Sequence, residues 1–111
     1  MVNNVTEQKF ELGQIVATPG ALHALEATSE ELWKFLFRHA EDWGELSDAD
    51  RAENEFSLAN GFRLLSRHAL RNGARLWIIT EADQSSTTLL LPNEYGAEAV
   101  HAQALVGSLR Q

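Results

Sequence analysis

The stretch that decides the fold runs Phe62-Arg-Leu-Leu-Ser-Arg-His-Ala-Leu70, then Arg71-Asn-Gly73, then Ala74-Arg-Leu-Trp-Ile-Ile-Thr-Glu81. Asn-Gly between two runs of strand-like patterning is the strongest short-range signal for a β-hairpin. Asp83-Gln-Ser-Ser86 supplies a second turn, and Thr87-Thr-Leu-Leu-Leu91 a third strand. Pro92 closes that strand, because proline has no N–H to give a ladder. Residues 62 to 91 are therefore expected to form an antiparallel β-meander.

Taken as a two-residue turn, Asn72-Gly73 pairs Leu70 with Arg75, His68 with Trp77 and Ser66 with Ile79, and sets Arg67 against Ile78 and Leu65 against Thr80. One face then carries Phe62, Leu64, Ser66, His68, Leu70, Trp77 and Ile79, and the helices are expected there. The other mixes Arg63, Leu65, Arg67, Leu76, Ile78 and Thr80, with both arginines turned to solvent.

Upstream, Phe10 to Ala17 alternates as a short first strand in which Gly13 marks a bulge or an edge. Thr18-Pro19 opens a short helix to about Glu26, with the threonine hydroxyl as N-cap acceptor. Thr28 and Glu31 form a capping box that starts a second helix, ending near Glu41. Ser47, backed by Asp48 and Asp50, starts a third over about Asp48 to Asn60, and Gly61 is placed for a left-handed cap. Ala49, Ala52, Phe56 and Ala59 lie at helical spacing and form its expected inward stripe. After Tyr95, the alanine-rich residues 97 to 106 are helix-prone.

The fold class expected is α+β: two or three N-terminal helices on one face of a three-stranded meander, with a possible fourth strand from residues 10–17. The whole chain, 1–111, is read as a single domain. Residues 1–9 form a flexible start, 10–95 the folded core and 96–111 a tail of helical tendency.

Composition agrees with that size. The chain has 111 residues, 44% of them hydrophobic, enough to fill one core without disulfides or structural metal. No cysteine is present, which removes disulfide scaffolds, thiolate zinc sites and cysteine nucleophiles. The first nine residues lack the basic start and apolar run of a secretory signal, and no later run reaches membrane-spanning length. A cytoplasmic location without membrane contact is the expectation. The formal charge of −7 disfavours non-specific attraction to phosphate backbones, so nucleic acid is not expected as a direct ligand.

Motifs for chemistry are sparse. His23, His39, His68 and His101 are widely separated and none has a partner at metal-ligand spacing, so no metal or cofactor is expected. His39 falls near the centre of the apolar arc of helix two, where a hydrogen-bonded core-edge histidine is the commoner outcome. The chain contains no nucleophile elbow, phosphate-binding loop or dinucleotide fingerprint. One constellation is left: Arg67, His68, Thr80 and Glu81, joined by Thr87 and Thr88, gather toward one end of the meander. Helices followed by an antiparallel sheet bearing Arg, His and Thr loosely resemble toxin ribonucleases of the barnase and RelE-like kind. There, His or Glu would serve as acid or base and Arg would offset phosphate charge. Against this, the register above puts Arg67 and His68 on opposite faces.

Aromatic residues are the other feature. Trp33, Phe37 and Trp43 exceed the stripe needed to cover a three-stranded sheet, and an exposed aromatic cluster commonly marks a protein interface. Burial of helix two between the sheet and another helix would account for the same residues.

Phe10-Glu-Leu-Gly-Gln-Ile-Val-Ala-Thr-Pro-Gly-Ala-Leu22, Asp42-Trp-Gly-Glu-Leu-Ser47, Leu76-Trp-Ile-Ile-Thr-Glu-Ala-Asp83 and Ser86-Thr-Thr-Leu-Leu-Leu-Pro92 together resemble a family of short bacterial proteins carried on plasmids and integrative elements. The likeness spans about Phe10 to Tyr95. Members bear labels such as plasmid-related protein or type I restriction methylase subunit. This chain has neither a cofactor-binding glycine motif nor the Asn-Pro-Pro-aromatic site of amino methyltransferases, so the second label finds no support in its residues. The resemblance implies an accessory role on mobile DNA, with modulation of host defence as one form of it, and supplies no catalytic residues. Missing catalytic motifs, net acidity and surplus aromatics favour a non-enzymatic binding protein whose partner is another protein, with self-association left open. The ribonuclease is the alternative.

Overall fold

The computed structural model describes residues 10–41, 43 and 46–95, together with the backbone of 103–104. Its architecture is α+β. β1 (Gln14–Ala17) leads into three helices, α1 (Pro19–Thr28), α2 (Leu32–Glu41) and α3 (Asp48–Asn60). Strands β2 (Leu64–Ala69), β3 (Arg75–Thr80) and β4 (Ser86–Leu90) follow, then a 3₁₀ turn over Pro92–Glu94 and a two-residue strand β5 (Gln103–Ala104). The sheet order is β2-β3-β4-β1-β5, with the expected meander intact and β1 lying parallel to β4. Residues 1–9, expected to be flexible, lie outside the described residues. In the tail, expected to be helical, Gln103 and Ala104 instead pair antiparallel with β1.

The hairpin register differs from expectation by one residue. Leu65 pairs with Ile79, Ser66 with Ile78, Arg67 with Trp77 and His68 with Leu76. The turn is the cause. Gly73 donates to the Leu70 carbonyl and Leu70 to that of Ala74, while Gly73 takes a φ of +88°. This is a three-residue loop, Arg71-Asn72-Gly73, whose left-handed glycine closes a bulge. The extra residue moves every β3 side chain to the opposite face. Leu76, Ile78 and Thr80 therefore join Leu64, Ser66 and His68 beneath the helices, and Trp77 and Ile79 go to the outer face.

The core follows from that exchange. Ile15, Ala17, Leu76, Ile78 and Leu89 of the sheet pack against Ala21 and Leu25 of α1 and Phe35 and Leu36 of α2. The Thr18 hydroxyl caps α1 as read, accepting from Ala21 N–H at 3.0 Å. Gly13 stands just before β1 at φ +67°, where an added Cβ would fall 2.4 Å from the Ser85 backbone, so only glycine fits.

The Thr28 capping box does not form. Thr28 ends α1 instead, its hydroxyl donating to the Leu25 carbonyl, and Ser29 takes a left-handed conformation that breaks the helix. α3 has the expected ends: Ser47 accepts from Asp50 N–H, and Gly61 is left-handed. Its expected inward stripe is overturned. Ala49, Ala52, Phe56 and Ala59 are exposed, and the helix docks through Asp50, Asn54, Ser57 and Leu58.

Candidate functional site

Three features of the molecule could carry function: a buried polar chain under α2, a cavity on the outer face of the sheet, and the outward face of α3. In the first, His39 reaches from α2 to the sheet, with Nδ1 2.6 Å from Ser66 Oγ and Nε2 2.8 Å from Thr80 Oγ1. Ser66 continues to His68 Nε2 at 2.8 Å, and Thr80 to Thr87 at 2.7 Å. The Phe10 ring stands edge-on to His39, and that of Phe35 edge-on to His68. Both imidazoles are sealed from water. Burial, and secondarily the neighbouring His68, push the His39 pKa down to about 3, so the ring is neutral. The core-edge histidine expected on α2 is thus a fully enclosed, hydrogen-bonded one.

On the outer face, Arg67 lies over the Trp77 ring at 5.4 Å and donates to Asp50 of α3 at 3.1 Å. Arg63 donates to Glu81 at 3.1 Å and to the Tyr95 hydroxyl. Leu65 and Ile79 separate the two arginines across the floor of a cavity of about 300 Å³, walled by α3 and Tyr95. The four residues of the ribonuclease reading are consequently split. His68 and Thr80 are enclosed beneath α2, whereas Arg67 and Glu81 are held in ion pairs on the far side of the sheet or at its end. The structure does not assemble them into one site.

Of the three aromatic residues expected at an interface, Trp43 is fully buried against Phe10 and Leu64. It closes the end of α2 with a left-handed φ of +63°, its N–H donating to the Arg38 carbonyl. The partner-binding expectation for Trp43 is thereby corrected: the residue is core, because its left-handed backbone just past α2 sets the indole against Phe10 and Leu64. Trp33 is half-buried, and Phe37, 58% exposed, stacks on it.

A larger apolar surface lies on α3. At 100° per residue, Ala59, Ala52, Phe56 and Ala49 fall within an arc of about 80°. The docked residues Ser57, Asp50, Asn54 and Leu58 occupy the opposite side. Phe56 is 60% exposed and Phe62 53%, with ring centroids 6.1 Å apart. Asn54 explains the inversion: its side-chain amide donates to the Leu65 carbonyl, and its Oδ1 accepts from Leu65 N–H at 3.1 Å. α3 covers a strand edge, whose exposed backbone demands polar partners. The clue lay in Asn54 and Asp50, which sit on the face opposite the alanines.

Comparison of the chain with protein-family models, with curated proteins and with solved structures finds no match. Among the described residues, no helix is long and apolar enough to cross a membrane, and no three His, Asp or Glu side chains group as metal ligands.

Proposed function

We propose that this chain is a small, acidic, non-enzymatic binding protein that acts through contact with another protein, by way of the outward face of α3. The observation that carries the reading is the inverted helix. A helix normally buries its apolar stripe, yet here Ala49, Ala52, Phe56 and Ala59 face out and Phe62 extends the patch. Exposed apolar patches with polar rims are the usual mark of protein interaction sites. Phe37 and Trp33 on α2 offer a second, smaller aromatic surface. The resemblance to plasmid-borne proteins supplies the setting: an accessory of mobile DNA that modulates host defence by engaging a protein of the host or of a competitor.

A photo-crosslinking residue placed at Ala52, in the full chain expressed in a native host, tests this. A stoichiometric adduct with one other protein from Ala52, and none from the hairpin tip at Asn72, is the expected result. A monomeric chain that crosslinks to nothing from Ala52 ends the proposal. The ribonuclease reading predicts toxicity on expression, with loss of RNA, that disappears in His68→Ala.

A further inference from the structure

The charges around the α3 stripe specify what can cover it. On the helical projection, Glu53 flanks the stripe on one side and Asp48 flanks it on the other, both exposed. The only basic residue of the helix, Arg51, lies on the docked side, and Asp50 on that side is neutralised by Arg67. The outward surface is thus an apolar strip between two acidic margins, with no cation inside it.

Size adds a second constraint. Three of the four stripe positions are alanines, which let a facing backbone approach closely, while Phe56 and Phe62 form one bulky anchor at the C-terminal end. A second copy of this chain would set acidic margins against acidic margins, between molecules of formal charge −7. Resting on the protein-binding reading above, we infer that the partner presents an amphipathic helix whose apolar stripe is bordered by lysine or arginine. In such a pairing the alanine strip accepts the apolar ridge, Phe56 and Phe62 bracket its end, and Asp48 and Glu53 meet the bordering cations.

The probe is a synthetic leucine-lysine peptide of about 15 residues, patterned as an amphipathic helix and long enough to hold one. Its twin has glutamate at every lysine position. Titrated into the full-length, isotope-labelled protein, the lysine peptide is expected to shift amide resonances of α3 and Phe62 saturably. It should bind at least about tenfold more weakly to Phe56→Glu, and more weakly at raised salt. Ala82→Glu, in the exposed turn between β3 and β4, should leave its affinity unchanged, and the glutamate twin should not bind. Equal binding of both peptides, shifts confined to another surface, or no binding overturns the inference. So does a dimer that Phe56→Glu dissociates, or contacts from residues 1–9 to the Phe56 ring, because a second copy or the chain itself would then be the occupant. If the Ala52 crosslink captures a partner while the lysine peptide fails, the partner's chemistry is wrong and the binding function stands.

Discussion

The hydroxyl of Thr87 donates to the carbonyl oxygen of Leu12 at 2.7 Å, and this one bond sets the direction of every hydrogen in the buried chain beneath α2. A threonine hydroxyl has one hydrogen. Having given it to Leu12, Thr87 must accept from Thr80, and Thr80 in turn from His39 Nε2–H. His39, being neutral, then offers Nδ1 as an acceptor to the Ser66 hydroxyl, which accepts from His68 Nε2–H. Five side chains from four elements thus form a polarised series that fixes the tautomer of His39 and places a hydrogen on His68 Nε2. Such a network specifies how α2 sits on the sheet, because a helix displaced by one residue would leave several buried polar groups unsatisfied.

Thr87→Val keeps the shape and removes the terminal donor and acceptor. The Leu12 carbonyl loses its hydrogen bond and the Thr80 hydroxyl its acceptor, at an expected cost of about 1–3 kcal/mol in denaturant unfolding. Nitrogen chemical shifts of the His39 ring should report hydrogen on Nε2 and none on Nδ1. The opposite tautomer would show that the series runs the other way.

Stability should fall in acid in two stages. His39 titrates near its ordinary value of 6.5 when unfolded but only at about 3 when folded. Between those values the unfolded state binds a proton that the native state refuses, so unfolding is favoured as pH falls, by up to roughly 1.4 kcal/mol per pH unit. Glu30 acts lower down. The Arg71 backbone N–H first, and the Lys34 ammonium after it, hold its carboxyl at about 2, below its ordinary 4.5. Its contribution is present above pH 4.5 and is lost as pH falls from there to about 2. His39→Gln should flatten the stability profile between pH 6.5 and 4.5, whereas Glu30→Gln should flatten it only below 4.5. Chemical denaturation across pH checks both.

Trp43 and Phe37 looked alike in the sequence and should behave oppositely on truncation. Trp43→Ala removes a fully buried indole from the cluster with Phe10 and Leu64, at an expected cost of about 3–5 kcal/mol. Phe37→Ala, at a position more than half exposed, should change stability by less than about 1 kcal/mol. Thermal unfolding of the two variants side by side tests the reassignment of Trp43 to the core.

The features that could be read in advance were those governed by neighbours in the chain. Ser47 and Gly61 bracket α3 as expected, and Thr18 caps α1, because a cap is a contact within one helical turn. The meander was equally plain. The face exchange in β3 was not, since Asn72-Gly73 suits both a two-residue turn and the three-residue loop that includes Arg71. Glu30 holds the Arg71 N–H from across the fold at 2.9 Å and so helps fix the loop that forms. The orientation of α3 departs from its apolar spacing for a related reason. Apolar spacing predicts which side of a helix seeks a hydrophobic core, but α3 covers a strand edge and an arginine, which seek hydrogen-bond acceptors and donors. The candidate surface was therefore visible as a stripe from the start, with its direction reversed.

Asn54 tests that account. Its amide satisfies both the N–H and the C=O of Leu65, as a neighbouring strand would. Asn54→Leu keeps the branched shape of the side chain and has better helix propensity, so a helix docked by apolar packing would tolerate or welcome it. Here it should instead cost about 2–4 kcal/mol, because two backbone groups at a partly buried edge lose their partners together. The exposed β2 edge should also become a template for pairing with other chains. The expected signature is a lower denaturation midpoint, faster hydrogen exchange at the Leu65 amide and concentration-dependent association. A variant as stable as the parent, with Leu65 still protected, would mean that α3 is held by its apolar contacts and that its outward stripe has another origin.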